Sequence, residues 1–231
     1  MRYDNIIPAR FIRRPNRFIA HCLVDGREET VHVKNTGRCK ELLVPGAQVY
    51  LTRAANPARK TACDLIAVRK GDRLINMDAQ APNQVMWEAL AGGLRLPGQP
   101  GAWRDLRREV VFGASRFDLW GRVEPDWQAY IEVKGVTLEE NDIASFPDAP
   151  TVRGARHLRE LAAAAALGFA AYAVFVIQME AAACFTPNDR QDPDFGRALR
   201  EAVAAGVRVL AYECETAPDS LTLGRPVALR L

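Results

Sequence analysis

Residues Glu109 to Leu138 have the sequence EVVFGASRFDLWGRVEPDWQAYIEVKGVTL. The pattern predicts two strands joined by a turn, with Asp118 on the first strand and Glu132 and Lys134 on the second. Side chains alternate between the faces of a strand, so Glu132 and Lys134 share one face, roughly 7 Å apart, while Val133 enters a core. If the hairpin brings Asp118 onto that face, two carboxylates and a lysine meet in a group that suits a divalent cation and an activated water.

The same stretch also has a purely structural interpretation. An exposed face of an antiparallel strand is normally charged, so Glu132 and Lys134 could form a surface ion pair and nothing more. Spacing alone does not separate this interpretation from a metal site, and both stay open on the pattern.

Composition restricts the class of protein. The chain has 231 residues, of which 48% are apolar and 26% are charged, as in ordinary globular proteins. No CxxC pair occurs, so neither a zinc site nor a disulfide framework is indicated. The N-terminus lacks a signal-peptide core, and no apolar run has membrane-spanning length. We therefore expect a cytoplasmic protein without a membrane partner. The five cysteines are scattered: Cys22, Cys39, Cys63, Cys184 and Cys214.

Charge is distributed unevenly along the chain. Residues 1–80 carry 15 Lys and Arg against 8 Asp and Glu, whereas the remainder carries 16 against 20. A basic half beside an acidic half indicates a polyanionic partner for the first and metal-binding carboxylates in the second. A solvated basic face without a partner is the alternative.

The first 80 residues have the pattern of a small β-structure. Short alternating segments, with Asp25-Gly26 as a hairpin turn, predict five strands and a brief helical segment near residues 40–44. This number of strands fits a small closed barrel such as an OB-fold, although a generic barrel or an open meander fits almost as well. The pattern becomes helical near Ala81-Pro82, which predicts domains at 1–81 and 82–231. The predicted strands are 18–24, 28–33, 47–53, 62–68 and 73–77.

Two basic clusters in this part predict a nucleic-acid surface. Guanidinium groups and loop amides are suited to phosphate contacts, and Gly37 would allow a close approach of the backbone. Small barrels often bind nucleic acid along such a surface. The alternative is a turn built from ordinary turn residues and flanked by arginines that cover apolar surface. The first cluster is Arg10, Arg13, Arg14, Asn16 and Arg17, and the second is Asn35, Thr36, Gly37 and Arg38.

The rest of the chain predicts a mixed α/β sheet with helices on its faces. A helix near Ala81–Leu90 has Asn83 as its expected N-cap, with Glu88 off the apolar stripe. Thr151 is expected to cap a second helix, on which Arg153 and His157 share a face and could reach phosphate. Two nearly continuous apolar runs predict buried strands, at 169–178 and at 207–214. Gln178 ends the first run and could also reach phosphate. Asp192 is expected to cap the helix between the two strands.

The motifs SRFDL, YIEVKGVTL and FPDAPTVRGARHLREL, together with RRPNRFIAH, HVKNTGR and ELLVPG, closely resemble the sugar fermentation stimulation protein A family. The resemblance spans nearly the whole chain. It implies an N-terminal OB-like barrel followed by a mixed-sheet, restriction-endonuclease-like α/β domain of the PD-(D/E)xK nuclease type, α+β overall. The resemblance further implies DNA binding and a role in regulating sugar, particularly maltose, metabolism.

Carried over from the family motif, Asp118 is the acid of the first strand, and Glu132 and Lys134 are the E-x-K of the second. Glu88 would be the helix acid. Phe117, rather than proline, precedes Asp118. Asp118 and Glu132 are then expected to hold Mg²⁺ or Mn²⁺, with Lys134 orienting water or stabilising charge on phosphorus. A metal-dependent nuclease and a non-catalytic DNA-binding regulator with a vestigial site both remain open, as does the oligomeric state.

Overall fold

The computed structural model describes residues 1–35, 37–54, 56 and 58–231. The first six strands form one sheet in the order β3-β2-β1-β4-β5-β6, and an additional parallel pairing of β3 with β5 closes five of them into a barrel. Alternating residues such as Phe11, Val31 and Leu51 fill the interior. The predicted OB-like barrel is confirmed. Its strands are β1 (Ile6–Arg13), β2 (Ile19–Val24), β3 (Arg27–Val33), β4 (Gln48–Arg53), β5 (Cys63–Lys70) and β6 (Arg73–Asn76).

Two details of the barrel differ from the prediction. Strand β1 was not predicted, although Ala9 and Phe11 point inward and Arg10 points outward in the required alternation. Two exposed arginines and a register shift between Phe11 and Arg13 obscure the strand pattern in the sequence. Arg10 and Arg13 lie on a strand rather than before one. The predicted helical segment near residues 40–44 consists of turns, in which the backbone N–H groups of Leu42 and Leu43 both donate to the carbonyl of Cys39.

The second domain has a six-stranded mixed sheet in the order β15-β14-β12-β9-β8-β7. Strand β12 is parallel to β9 and β14, whereas β8 is antiparallel to β9. Helices α1 (Ala81–Ala91), α2 (Val152–Ala166) and α3 (Pro193–Ala204) accompany it. The predicted mixed α/β sheet is confirmed. Its strands are β7 (Asp105–Phe112), β8 (Ser115–Val123), β9 (Trp127–Val136), β12 (Ala170–Ile177), β14 (Arg208–Ala217) and β15 (Ser220–Pro226).

Two of the three predicted helix caps are confirmed. The Thr151 hydroxyl accepts a hydrogen bond from the Gly154 N–H, and Asp192 accepts one from the Phe195 N–H, both at 3.0 Å. The third was wrong, because α1 begins earlier, with Gln80 at the N-cap and Pro82 in the first turn. Asn83 is therefore inside the helix, and its side chain is available for another contact.

Four short strands form a second, smaller sheet in the order β10-β11-β13-β16 that the sequence did not predict. None of the helices in the described part of the chain is long and apolar enough to cross a membrane. The cytoplasmic location stays a prediction. The short strands are β10 (Leu138–Glu140), β11 (Ile143–Phe146), β13 (Cys184–Pro187) and β16 (Ala228–Leu229).

Polar contacts join the two domains. The Gln178 side chain, only 1% exposed, donates to the backbone carbonyls of Asn76 and Asp78 at 3.1 and 3.0 Å. Lys70 at the end of β5 and Arg73 at the start of β6 reach across to the carboxylate of Glu139, each at 2.8 Å. Gln178 had been predicted to lie within reach of phosphate, and its buried amide instead fixes the position of one domain against the other.

Candidate active site

The candidate active site lies where strand β8 separates from β9. The ladder between β8 and β9 ends at the pair Leu119–Ile131, whereas β8 stays paired with β7 as far as Phe112–Ser115. Asp118 is therefore the first residue of β8 beyond its pairing with β9. Its side chain occupies the place of a backbone partner and accepts a hydrogen bond from the Val133 N–H at 2.8 Å.

Asp118 is held from two directions. Besides the Val133 amide, the side-chain amide of Asn83 on α1 donates to its other oxygen at 2.7 Å. Burial and the neighbouring Glu132 carboxylate nevertheless raise the pKa of Asp118 above its ordinary value. The ionised form is thus disfavoured in this place, because two negative charges share a region with little water.

Glu132 is deeply buried, with 2% of its surface exposed. Burial disfavours its charge, but hydrogen bonds from His157 and Lys134 outweigh burial and lower the pKa of Glu132. Both donors use the same oxygen, Oε1, which lies 2.5 Å from Lys134 Nζ. The other oxygen, Oε2, is buried and has no hydrogen-bond partner among the described residues.

His157 and Arg153 extend this group onto helix α2. The His157 ring is 2% exposed, its Nδ1 faces Glu132, and its Nε2 accepts a hydrogen bond from Arg153 Nε at 3.3 Å. This pattern places the proton on Nδ1. The predicted shared face of Arg153 and His157 is confirmed, but a buried His157 is in contact with a carboxylate rather than placed to meet phosphate. Arg153 is exposed and keeps its phosphate-binding prediction.

Glu88, predicted as the helix acid, forms its polar contacts outside the candidate site. Its carboxylate lies 2.6 Å from the Met1 ammonium and accepts a hydrogen bond from Gln84, also at 2.6 Å. Although burial opposes ionisation, the contacts with Gln84 and the Met1 ammonium lower the pKa of Glu88. The side chain that α1 supplies to Asp118 is Asn83. Sequence reasoning missed this contact because Asn83 resembled an N-cap. The spacing between Asn83 and Glu88 does not indicate which of the two side chains faces Asp118.

The candidate site has few donor groups, but these are carboxylate oxygens, which suit a hard cation. Among residues 1–35, 37–54, 56 and 58–231, no group of three or more His, Cys, Asp or Glu side chains is arranged to hold a metal ion. Two carboxylates remain: half-buried Asp118, with a raised pKa, and buried Glu132, with an oxygen that has no partner among the described residues. Mg²⁺ is typically held by one or two carboxylates and several waters, so Asp118 and Glu132 fit such an ion.

The basic clusters of the barrel divide into structural and exposed members. The guanidinium of Arg14 donates to four backbone carbonyls, which gives it a structural role in holding the loop that follows β3. Arg13 shares the Glu28 carboxylate with His21, at 2.8 and 2.9 Å. Arg10 donates to the Gly46 carbonyl at 3.2 Å, and Arg17 is exposed. The carbonyls bound by Arg14 belong to Arg17, Asn35, Gly37 and Arg38.

The two asparagines of the clusters shape turns. Asn16 Oδ1 accepts hydrogen bonds from the N–H groups of Phe18 and Ile19, and Asn35 Oδ1 accepts one from the Gly37 N–H at 2.7 Å. The Arg38 N–H donates to Asp148 of the second domain at 3.1 Å. Thr36 lies outside the described residues. Asn16, Asn35, Thr36 and Arg38 therefore keep their nucleic-acid predictions, untested, with turn formation as an observed role for the asparagines.

Comparison with known proteins places the chain in a family. Residues 80–220 match the family profile described as "Sugar fermentation stimulation protein RE domain", and residues 12–77 match the "SfsA N-terminal OB domain". The chain belongs to the sugar fermentation stimulation protein family. A sugar fermentation stimulation protein homolog of Desulfitobacterium hafniense is 50% identical over 100% of this chain and 99% of its own length. The homolog of Ruminiclostridium cellulolyticum is 47% identical over 100% of both chains.

A solved structure of the same family has the same fold. The structure of Pyrococcus furiosus SfsA in complex with Ca²⁺ superposes with a TM-score of 0.88 at 28% identity, covering 100% of this chain and 98% of that one. The predicted family and the two-domain fold class are therefore confirmed. The roles of Asp118, Glu132, Lys134 and the basic residues stay predictions, because these comparisons do not test them.

Proposed function

We propose that this sugar fermentation stimulation family protein binds nucleic acid, with DNA as the expected partner, and hydrolyses phosphodiester bonds with a divalent cation at Asp118 and Glu132. The observation that carries the proposal is the pair of neighbouring carboxylates, half-buried Asp118 and buried Glu132, whose Oε2 lacks a partner among the described residues. Two neighbouring acids with limited access to water are costly to ionise unless cations compensate their charge.

The Ca²⁺ complex of Pyrococcus furiosus SfsA supports a cation site in this family. Ca²⁺, Mg²⁺ and Mn²⁺ all prefer oxygen ligands, so a site of carboxylates accepts each of them. Bound Mg²⁺ or Mn²⁺ would polarise the phosphodiester and lower the pKa of a coordinated water.

The surrounding residues each have a task in the proposed hydrolysis. Asn83 and the Val133 N–H fix Asp118, and His157 fixes Glu132 from the core side. Lys134, whose Nζ donates to Glu132 Oε1, would also donate to negative charge that develops on the phosphoryl oxygens. In the reaction the water oxygen forms a bond to phosphorus while one phosphorus–oxygen ester bond breaks. The products are a phosphate monoester and a hydroxyl group.

The test is cleavage of labelled single-stranded, duplex and branched DNA and RNA in Mn²⁺, with chelator as the blank. Wild type should cleave at least one substrate, and Glu132→Gln should reduce that cleavage while binding persists. Glu215→Gln is the matched control, because Glu215 is exposed and lies on β14 of the same sheet. Tight binding by wild type without cleavage of any substrate would exclude the nuclease and support the non-catalytic DNA-binding regulator instead.

The physiological part of the proposal rests on the family alone. Regulation of sugar metabolism, with maltose as the particular case, would follow from DNA binding near the genes concerned. We assign no residue to that role. Loss of sugar-dependent expression in a deletion strain, restored by wild type and not by a binding-deficient variant, is the outcome expected.

A further inference from the structure

A pocket of about 410 Å³ on the barrel combines apolar and cationic surface. Phe11 and Leu43, both largely buried, and the exposed Pro45 supply its apolar part. Its volume lies within the range of about 300–1,000 Å³ that is usual for sites of small ligands. The described residues that line the pocket include no carboxylate. Its cationic residues are Arg13, Arg14, Arg17, Arg38 and Lys40.

Two exposed apolar residues are neighbours, in the sequence, of residues that line the pocket. The Phe18 ring, 54% exposed, follows pocket-lining Arg17, and its backbone N–H is held by pocket-lining Asn16. Val44, 48% exposed, lies between Leu43 and Pro45. An aromatic ring left in water beside a cationic cavity is the arrangement on which unpaired bases stack while neighbouring phosphates meet the cations.

The pocket continues toward the junction of the two domains. Gly37 lines both this pocket and a second depression of about 170 Å³ between the domains. That depression is also lined by Gly135 of β9. Contacts across the junction hold this arrangement, because Arg14 donates to the Gly37 carbonyl and Asp148 of the second domain accepts from the Arg38 N–H. A strand held in the pocket could therefore extend to the junction between the barrel and the second domain.

We propose that this pocket takes an unpaired nucleotide of a single-stranded nucleic acid, with the base on the apolar surface and adjacent phosphates on the rim. The inference rests on the proposed nucleic-acid function and deepens it by naming the substrate class: single strands, or duplexes with a single-stranded end. Bases inside a duplex are stacked on each other and are not available to such a pocket. A blunt duplex offers it only phosphates.

The test measures binding by fluorescence anisotropy in chelator, so that cleavage plays no part. The ligands are an oligothymidylate of about 15 nucleotides, within the site size of an OB-fold, and a blunt duplex of equal length. We expect the single strand to bind more tightly. Phe18→Ala should weaken single-strand binding by about 5- to 150-fold, the equivalent of one lost stacking contact, and leave duplex binding nearly unchanged. Oligouridylate of equal length distinguishes RNA from DNA as the source of the nucleotide.

Leu23→Ala is the matched control, because Leu23 is 43% exposed on β2 and, unlike Phe18, is not next to a pocket-lining residue in the sequence. A second variant, Arg17→Ala with Lys40→Ala, should reduce the salt slope of single-strand binding, whereas exposed Arg27→Ala should change it less. Tighter binding of the blunt duplex, or equal single-strand affinity of wild type and Phe18→Ala, would overturn the inference. Absence of cleavage would contradict the proposed nuclease and leave this binding result standing.

Discussion

Removing the charge from either acid of the candidate site should change stability in opposite directions. Asp118 has a raised pKa, so its ionised form is penalised in the folded protein. Glu132 has a lowered pKa, so its ionised form is stabilised there by His157 and Lys134. In chelator at neutral pH, Asp118→Asn should therefore raise the melting temperature, and Glu132→Gln should lower it.

The pH dependence follows from the same signs. The penalty at Asp118 is absent below the pKa of the unfolded chain and is complete above the raised folded pKa. The stabilisation from Glu132 is present above the unfolded pKa and is lost as the pH falls through the lowered folded pKa. Both effects shrink toward acid pH. The difference between the two variants should therefore be largest near neutrality.

The magnitude for Glu132→Gln comes from the contacts of its carboxylate. Hydrogen bonds to charged groups contribute about 1.5–3 kcal/mol, and glutamine keeps an acceptor oxygen but loses the charge. Weakening the contacts of Lys134 and His157 should cost about 1.5–3 kcal/mol, which for a chain of this size lowers the melting temperature by about 3–12 °C. Glu215→Gln, at an exposed position, should change it little.

Scanning calorimetry in chelator measures the stability change of each variant, and calorimetry in Mn²⁺ measures the effect of the metal on the melting temperature. Wild type should gain melting temperature on addition of Mn²⁺, since a ligand of the folded state stabilises it, and both variants should lose most of that gain. A lower melting temperature for Asp118→Asn in chelator would refute the assignment of an unfavourable charge to Asp118. An undiminished Mn²⁺ response in both variants would refute the metal site.

Two further predictions concern strand β9. Lys134→Ala should lower the cleavage rate by roughly 100- to 1000-fold, because a donor to transition-state charge is lost, while the melting-temperature response to Mn²⁺ persists. Single-turnover kinetics measure the cleavage rate, and calorimetry measures the response to Mn²⁺. An unchanged cleavage rate would exclude Lys134 from catalysis. Gly135→Ala should cost about 1–3 kcal/mol, because the added Cβ would lie 2.6 Å from both Gln178 Oε1 and Pro82 Cγ. An unchanged denaturation midpoint would contradict this tight contact.

The sequence predicted the arrangement of the site residues on strand β9 better than the contribution of helix α1. Alternation alone put Glu132 and Lys134 on one face and Val133 in the core, as the structure has them. The contribution of α1 was not predictable, because it depends on the rotation of that helix against the sheet. A start one turn earlier than expected places Asn83 rather than Glu88 beside Asp118.

Strand β1, the smaller sheet and the role of Gln178 were predicted less well. Strand β1 carries arginines at outward positions, so its alternation resembled a basic leader. The four strands of the smaller sheet are two to four residues long, too short for a periodic signal to stand out from loops. Gln178 ended an apolar strand and therefore resembled a site residue, whereas its amide joins the two domains.

The basic cluster of the barrel leads to a last prediction, because sequence cannot distinguish Arg14 from Arg17. Arg14 donates to four carbonyls at 2.6 to 2.9 Å, whereas Arg17 is exposed on the rim of the pocket. Arg14→Ala should therefore cost about 2 kcal/mol and lower the melting temperature by about 4–8 °C. Arg17→Ala should stay within about 2 °C of wild type but make the salt dependence of nucleic-acid binding shallower by about one counterion.

Calorimetry and anisotropy at several salt concentrations would compare these two arginines, which lie three positions apart and differ only in their partners. Equal melting temperatures would show that the carbonyl contacts of Arg14 contribute little. A salt slope lowered by Arg14→Ala and not by Arg17→Ala would reverse the two roles. Arg14, rather than Arg17 on the exposed rim, would then be the arginine that contacts phosphate. Only cations that contact phosphate release counterions.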